Sequence, residues 1–193
     1  MTDGDELARE GDISIRRMHD DPADYTLMVR WRREPHVAEL WDADDRPFTY
    51  ERAMEKYGPR TRGESPTTSC FIQLDGRPVG YIQCYPWSAY RSEADALSVP
   101  EDPDAWGIDV FLGEADLLST GTGSRAISLI LRFLFAERGA SVVALVTHVW
   151  NHRAIRAYEK CGFHKVRVVK DTETIGGEYP TAGSWWPSRR LAS

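Results

Sequence analysis

Leu118-Ser119-Thr120-Gly121-Thr122-Gly123-Ser124 runs directly into an amphipathic segment from Arg125 to Arg138. Within that segment Ile127, Ile130, Leu131, Leu134 and Phe135 recur at i, i+3, i+4, i+7 and i+8, which predicts a helix with one core-facing stripe. A turn with two glycines opening onto a helix presents unpaired backbone N–H groups at the positive end of the helix dipole, a ready seat for phosphate. The glycines let a ligand approach the backbone closely and permit positive φ. Alone, a Gly-x-Gly turn is a weak signal. Its neighbours strengthen it. Trp106 to Leu112 reads as a strand before the turn, and Gly139 closes the helix. Val142-Val143-Ala144-Leu145-Val146 is a short apolar strand of the kind buried on both faces. Asn151 caps a second helix through Lys160, Gly162 ends it, and Phe163 to Val169 returns as a strand. Strand, glycine turn, helix, buried strand, helix, strand predicts an α+β fold with helices packed on a mixed sheet.

Upstream, Cys70 to Leu74, the pair Asp75-Gly76, and Pro78 to Tyr85 predict a hairpin, since Asp-Gly suits a type I′ turn. Ile13-Ser14-Ile15 reads as a short strand. Asp20 or Asp21 before Pro22 starts a helix, with Tyr25, Met28, Val29 and Trp31 or Arg32 at helical spacing. Thr49 to Tyr57 reads as another helix, closed by Gly58-Pro59. Pro86 to Asp104, acidic and dotted with proline, is expected as a long surface loop. Residues 1–12 are expected as a loose tail, 13–187 as one domain, and 188–193 as a second tail.

At 193 residues the chain can bury a substantial core. No apolar run is long enough to span a bilayer, and the acidic start Met1-Thr2-Asp3-Gly4-Asp5-Glu6 lacks the apolar region of a secretory signal. Cys70, Cys84 and Cys161 lack metal-ligand spacing and cannot all pair, so reduced thiols and a cytoplasmic location are expected, with no metal. A net charge of −6 argues against nucleic acid as the main partner and is compatible with a cationic small molecule, and no membrane partner is expected.

The segment from Gly107 to Phe163 resembles the acyl-coenzyme A site of the GNAT acetyltransferase superfamily. The turn Thr120-Gly121-Thr122-Gly123 is similar to its pyrophosphate loop. Asn151…Ala154…Tyr158-Glu159-Lys160-Cys161-Gly162-Phe163 is similar to the helix flanking the pantetheine arm. Within the superfamily the chain most resembles the aminoglycoside 6′-N-acetyltransferases, through Pro35 to Trp41, Gly76 to Tyr85 and Gly107-Ile108-Asp109 in order, over most of the chain from Ile13 to Lys170.

The resemblance implies a mainly antiparallel, twisted GNAT-like sheet and acetyl-CoA as cosubstrate. It implies an amine acceptor and a monomer or homodimer. It assigns Asp109 as the group that accepts the ammonium proton and Tyr158 as the group that protonates the leaving thiolate. Such transfers are each worth ~10²–10⁴ in rate. It places Phe111, Leu112, Thr120, Gly121, Thr122, Gly123, Ser124, Asn151, Ala154 and Tyr158 on the cofactor, and Trp41, Asp109 and His148 on the acceptor. Without the resemblance, Asp109 reads as a solvent-facing carboxylate in an alternating strand, Tyr158 and Trp41 as core, and Asn151 as a helix cap.

Three positions depart from the family pattern. Leu118 stands where many members carry Arg or Gln, and Thr120 where lysine is common, with Arg125 a candidate replacement charge. Thr147-His148 occupies a place where the aminoglycoside enzymes often carry an aspartate, and Glu93, Asp95, Glu101, Asp102 and Asp104 are candidate substitutes. The leading reading is acetylation of an aminoglycoside 6′-amine. Acylation of another amine, such as a hydroxylysine or a protein N-terminus, and a non-catalytic acyl-CoA-binding domain stay open beside it.

Overall fold

The computed structural model describes residues 5–41, 46–97, 99–169 and 182–187. Its strands are β1 (Glu6–Glu10), β2 (Ile13–Arg17), β3 (Thr68–Leu74), β4 (Arg77–Pro86), β5 (Ala105–Leu112), β6 (Val142–His148), β7 (Phe163–Val169) and β8 (Ala182–Pro187). Its helices are α1 (Pro22–Arg32), α2 (Pro35–Ala38), α3 (Tyr50–Thr61), α4 (Arg91–Ala96), α5 (Thr122–Glu137) and α6 (His152–Lys160). The strands follow the spatial order β1-β2-β3-β4-β5-β6-β8-β7. Every pair is antiparallel except β5 with β6. The mixed, mainly antiparallel sheet flanked by helices agrees with the α+β expectation.

Alternation along the strands sorts side chains to two faces. Cys70, Ile72, Ile82 and Ile108 point to one face, where they meet Ile127, Ile130, Leu131 and Leu134 of α5. The predicted stripe is therefore the core stripe, with Phe135 half-buried at its rim. Phe71 and Tyr81 point to the other face, into an aromatic cluster with Tyr25, Met28 and Trp31 of α1 and Tyr57 of α3. Each fully buried side chain of this size contributes roughly 1.5–3 kcal/mol.

Local signals explain most boundaries. Asp21 caps α1 by accepting the Asp24 N–H at 2.9 Å, with Pro22 in the first turn. Asp75 and Gly76, at φ 50° and 76°, form the β3–β4 turn with the positive φ values that type I′ needs. Gly139 and Gly162, at φ 65° and 87°, end α5 and α6.

Three expectations are corrected. Residues 6–10 are not a tail: β1 pairs with β2 from Ala8↔Ile15 to Glu10↔Ile13, and Leu7 and Ala8 pack on the core. Glu6-Leu7-Ala8-Arg9-Glu10 lacks apolar alternation, so the ladder and not the side chains makes it a strand. Gly58-Pro59 does not end α3, which continues to Thr61 because Ala53 and Tyr57 anchor its buried face. The missing Pro59 N–H costs one backbone bond near the helix end. Pro86 to Asp104 is not a plain loop: Trp87–Ala89 forms a 3₁₀ turn and Arg91–Ala96 forms α4. Trp87, Ala94 and Val99 bury themselves against Ala105 and Ala144, which pins this segment beside β5. The expected tail 188–193 lies outside the described residues.

Candidate active site

Strands β5 and β6 pair in parallel only from Ala105↔Val142 to Gly107↔Ala144. Beyond that point they diverge, although β5 continues to Leu112 and β6 to His148. Among the described residues, the edge of β5 facing β6 therefore has no strand partner over 108–112. A cleft of about 460 Å³ opens there. That volume lies within the ~300–1,000 Å³ of small-molecule sites. Asp109, Phe111 and Leu112 line it from β5, and Thr147 and His148 from β6.

The α5 loop closes one end. Gly121 sits at φ 94°, a left-handed conformation costly for other residues, and starts the helix. Ser119, Gly121, Gly123 and Ser124 line the cleft. Among the described residues the N–H groups of Gly121, Gly123 and Ser124 have no protein acceptor. Thr120 and Thr122 do not line it with their side chains, contrary to expectation. Thr120 Oγ1 donates to the Leu117 carbonyl at 2.8 Å and lies 2.9 Å from Thr122 Oγ1, so the two hydroxyls brace the turn. Arg125 also points elsewhere, pairing with Asp12 outside the cleft.

Helix α6 forms the opposite wall. Asn151 accepts the Ala154 N–H at 3.2 Å, and Asn151, Ala154 and Tyr158 all line the cleft. Tyr158 is buried, and its hydroxyl has no hydrogen-bond partner among the described residues. Burial pushes its pKa well above the usual phenol value, and the nearby Asp109 and Cys161 add to that. Cys161 Sγ donates to the Ser124 carbonyl at 3.2 Å, tying the end of α6 to the start of α5. Burial raises this thiol too, which disfavours a nucleophilic thiolate.

Asp109 sits at the meeting point of two cavities. Gln83, its register partner on β4, donates from Nε2 to Asp109 Oδ2 at 2.7 Å, and the Tyr85 hydroxyl is close enough to pull the Asp109 pKa down. Gln83 Oε1 in turn accepts from Arg60 at 2.5 Å and from the Tyr81 hydroxyl at 2.8 Å. Gly107 makes room for this arrangement: a Cβ there would meet the Tyr85 ring at 2.3 Å. Burial raises the Asp109 pKa, outweighing the opposing pull of Gln83, Tyr85, Arg60 and Lys56.

The second cavity, about 190 Å³, is bounded by Asp109, Gln83, Tyr85, Tyr90 and Glu93 among others. Of the acidic candidates between Glu93 and Asp104, only Glu93 reaches it. Asp95 pairs with Arg91, and Asp102 accepts from Ser141 Oγ at 2.7 Å. Trp41 lines the main cleft, edge-on to Phe111 with ring centroids 4.9 Å apart and to Tyr81 at 5.8 Å. His148 stacks on Trp150 at 5.0 Å.

Sequence reasoning missed several residues that line these cavities. His36 reaches the main cleft and donates from Nε2 to the Leu112 carbonyl at 3.0 Å. Arg153, Arg156 and Lys160 of α6 line it as well. Gln83 is the register partner of Asp109 on β4, and Tyr85, two residues on, shares its strand face. Among the described residues, the grouping His19, Asp21 and Asp24 could hold a metal, but Asp24 already takes both Arg16 nitrogens at 2.7 Å.

A family model described as an acetyltransferase (GNAT) domain matches residues 20–171. Aminoglycoside N(6′)-acetyltransferase type 1 of Klebsiella pneumoniae is 29% identical over 157 residues, covering 81% of this chain and 76% of the relative. N-hydroxyputrescine acetyltransferase of Acinetobacter baumannii is 29% identical over 119 residues, covering 60% of this chain and 51% of that protein. A solved structure of AAC(6′)-Ib in complex with paromomycin and acetyl-CoA superposes with a TM-score of 0.77 at 24% identity, covering 93% of this chain and 94% of that one. No helix among the described residues is long and apolar enough to cross a membrane.

Proposed function

The chain belongs to the GNAT acetyltransferase family, and from that premise we propose that it transfers the acetyl group of acetyl-CoA to the 6′-amine of an aminoglycoside. The observation that carries this reading is that Asp109 lines both the main cleft and the smaller cavity. A donor in the first and an amine in the second would meet at one carboxylate. The 190 Å³ of the smaller cavity suits one amino-sugar ring, with the rest of the molecule outside. The similarity to an aminoglycoside N(6′)-acetyltransferase supports the acceptor class.

The donor residues follow from chemistry. The free N–H groups of Gly121, Gly123 and Ser124 at the start of α5 suit the diphosphate. The unpartnered edge of β5 suits the pantetheine amides, which would add as a strand. Its N–H groups are also placed to polarise the thioester carbonyl.

Each proton then has a destination. Asp109 takes a proton from the substrate ammonium, and the freed amine attacks the thioester carbon. The new C–N bond forms as the C–S bond breaks, and the second proton on the nitrogen leaves to solvent, as does the one held by Asp109. Tyr158, kept protonated by burial, gives its proton to the thiolate and is reprotonated from solvent. Asn151 and Ala154 border the cofactor, and Trp41 and His148 line the same main cleft and not the smaller cavity.

The alternative of a different amine is favoured by His148, which leaves β6 without the carboxylate common in the aminoglycoside enzymes. Thiol release from acetyl-CoA, measured with kanamycin and with lysine and diamine acceptors, separates the two. Turnover with kanamycin alone supports the proposal. Turnover confined to the other amines refutes it, and coenzyme A binding without release indicates a non-catalytic domain.

A further inference from the structure

Coenzyme A carries a diphosphate and, on its ribose, a separate 3′-phosphate monoester of roughly −1.5 to −2 charge at neutral pH. The start of α5 offers backbone dipoles and no cation. Ser119, Thr120, Thr122 and Ser124 are neutral, and Arg125 turns away to Asp12. The positive charge of the cleft stands instead on α6. Arg153, Arg156 and Lys160, spaced i, i+3 and i+7, present one face of that helix to the cleft. None of the three has an ion-pair partner among the described residues. The pattern is notable in a chain whose net charge is −6.

Three unpaired cations on one wall repel one another, a cost that a bound anion removes. The diphosphate has its seat at the α5 N–H groups, so the group left for α6 is the second phosphate. We infer that Arg153, Arg156 and Lys160 form the recognition site for the 3′-phosphate of the donor, so that the protein selects acetyl-CoA over donors lacking it. The inference rests on coenzyme A being the donor. It goes beyond that reading by giving three residues a specificity role that the transfer chemistry does not require. Charge-assisted contacts from three cations to one phosphate are strong, so discrimination of tenfold or more is expected.

Calorimetric binding of coenzyme A and of 3′-dephospho-coenzyme A to the full chain tests this without any turnover. The unaltered protein should bind coenzyme A at least tenfold more tightly, and rising salt should narrow the gap. In the triple variant R153A/R156A/K160A the preference should fall below threefold, with affinity for the dephospho form little changed. Equal binding of the two ligands by the unaltered protein overturns the inference, as does a triple variant that keeps the preference. Equal weakening of both ligands also overturns it, by assigning the cations to the diphosphate. The single variant R156A, at an exposed position, carries the same comparison if the triple variant fails to fold. Failure of the donor reading looks different, because then neither ligand binds.

Discussion

Gln83 and Asp109 face each other across the β4–β5 ladder, and the Gln83 amide can only donate to the carboxylate. Its Oε1 already accepts from Arg60 and Tyr81, which fixes Nε2 toward Asp109 Oδ2 at 2.7 Å. This donation stabilises the charged form that a base needs, against the burial that raises the Asp109 pKa. Gln83→Glu replaces the donor with a second carboxylate and should raise that pKa further. Since the base acts deprotonated, the acidic limb of the kcat/KM profile should move to higher pH. Gln83→Leu, which removes the donor without adding charge, should move it less. A limb that stays in place while the plateau falls would mean that Gln83 only packs.

Asp109→Asn should lower turnover by ~10²–10⁴ while leaving coenzyme A affinity nearly unchanged. It should also stabilise the fold at neutral pH. A carboxyl whose folded pKa is raised binds more protons folded than unfolded across the window between its two pKa values. Stability therefore falls as pH rises through that window, and the penalty is complete above it. The variant should melt higher than its parent at pH 7, with no gain below the unfolded pKa of about 3.9. Thermal melts at the two pH values check the sign.

Tyr158→Phe should fold normally, because the lost hydroxyl has no partner among the described residues. Its kcat should fall by about 10² or more, with little change in the acetyl-CoA KM. Burial holds the phenol protonated well above its ordinary range, so the parent should show no basic limb from this group below about pH 10. Full activity in the variant would remove Tyr158 from the proton path.

The legible parts of this chain were those whose cause is local. The Asp75-Gly76 turn, the Asn151 cap and the α5 stripe each follow from a few adjacent residues, and each is present. Asp109, Tyr158 and the two loop glycines came from motifs and do line one cleft. What stayed hidden depends on distant partners. β1 is a strand because β2 offers it a ladder, and β8 lies between β6 and β7 with no local signal for that insertion. Glu93 became distinguishable from Asp95 and Asp102 only when Arg91 and Ser141 were seen to occupy the other two. The cleft-facing cations of α6 look like any solvated face until β5 and β6 separate in front of them.

Glu93→Gln should separate acceptor binding from donor binding. Glu93 reaches the smaller cavity from α4, whose neighbouring Ala94 is fully buried and sets the orientation of the helix. A carboxylate there would hold a second ammonium of a polyamine acceptor while Asp109 engages the first. Because Glu93 is exposed, its attraction is screened, and a loss of roughly threefold to tenfold in acceptor kcat/KM is expected. The effect should shrink with salt and vanish for a monoamine. An equal loss for monoamine and polyamine would show that Glu93 supports the fold of this segment instead.

Gly123→Val tests the phosphate seat. Gly123 lies in the first turn of α5 outside the positive-φ region, and a Cβ there would meet only Leu112 Cδ1 at 3.9 Å, an ordinary contact. The protein should therefore accept valine, and its melting temperature should change little. A bound diphosphate should not, because the branched side chain would fill the space in front of the free N–H groups. Coenzyme A affinity should fall at least tenfold, the equivalent of about 1.4 kcal/mol. Gly121→Val would be a poorer probe. At φ 94° a side chain costs on the order of 1–3 kcal/mol in backbone strain, so affinity and stability would fall together. An unchanged coenzyme A affinity in Gly123→Val, with the fold intact, would place the diphosphate away from the start of α5.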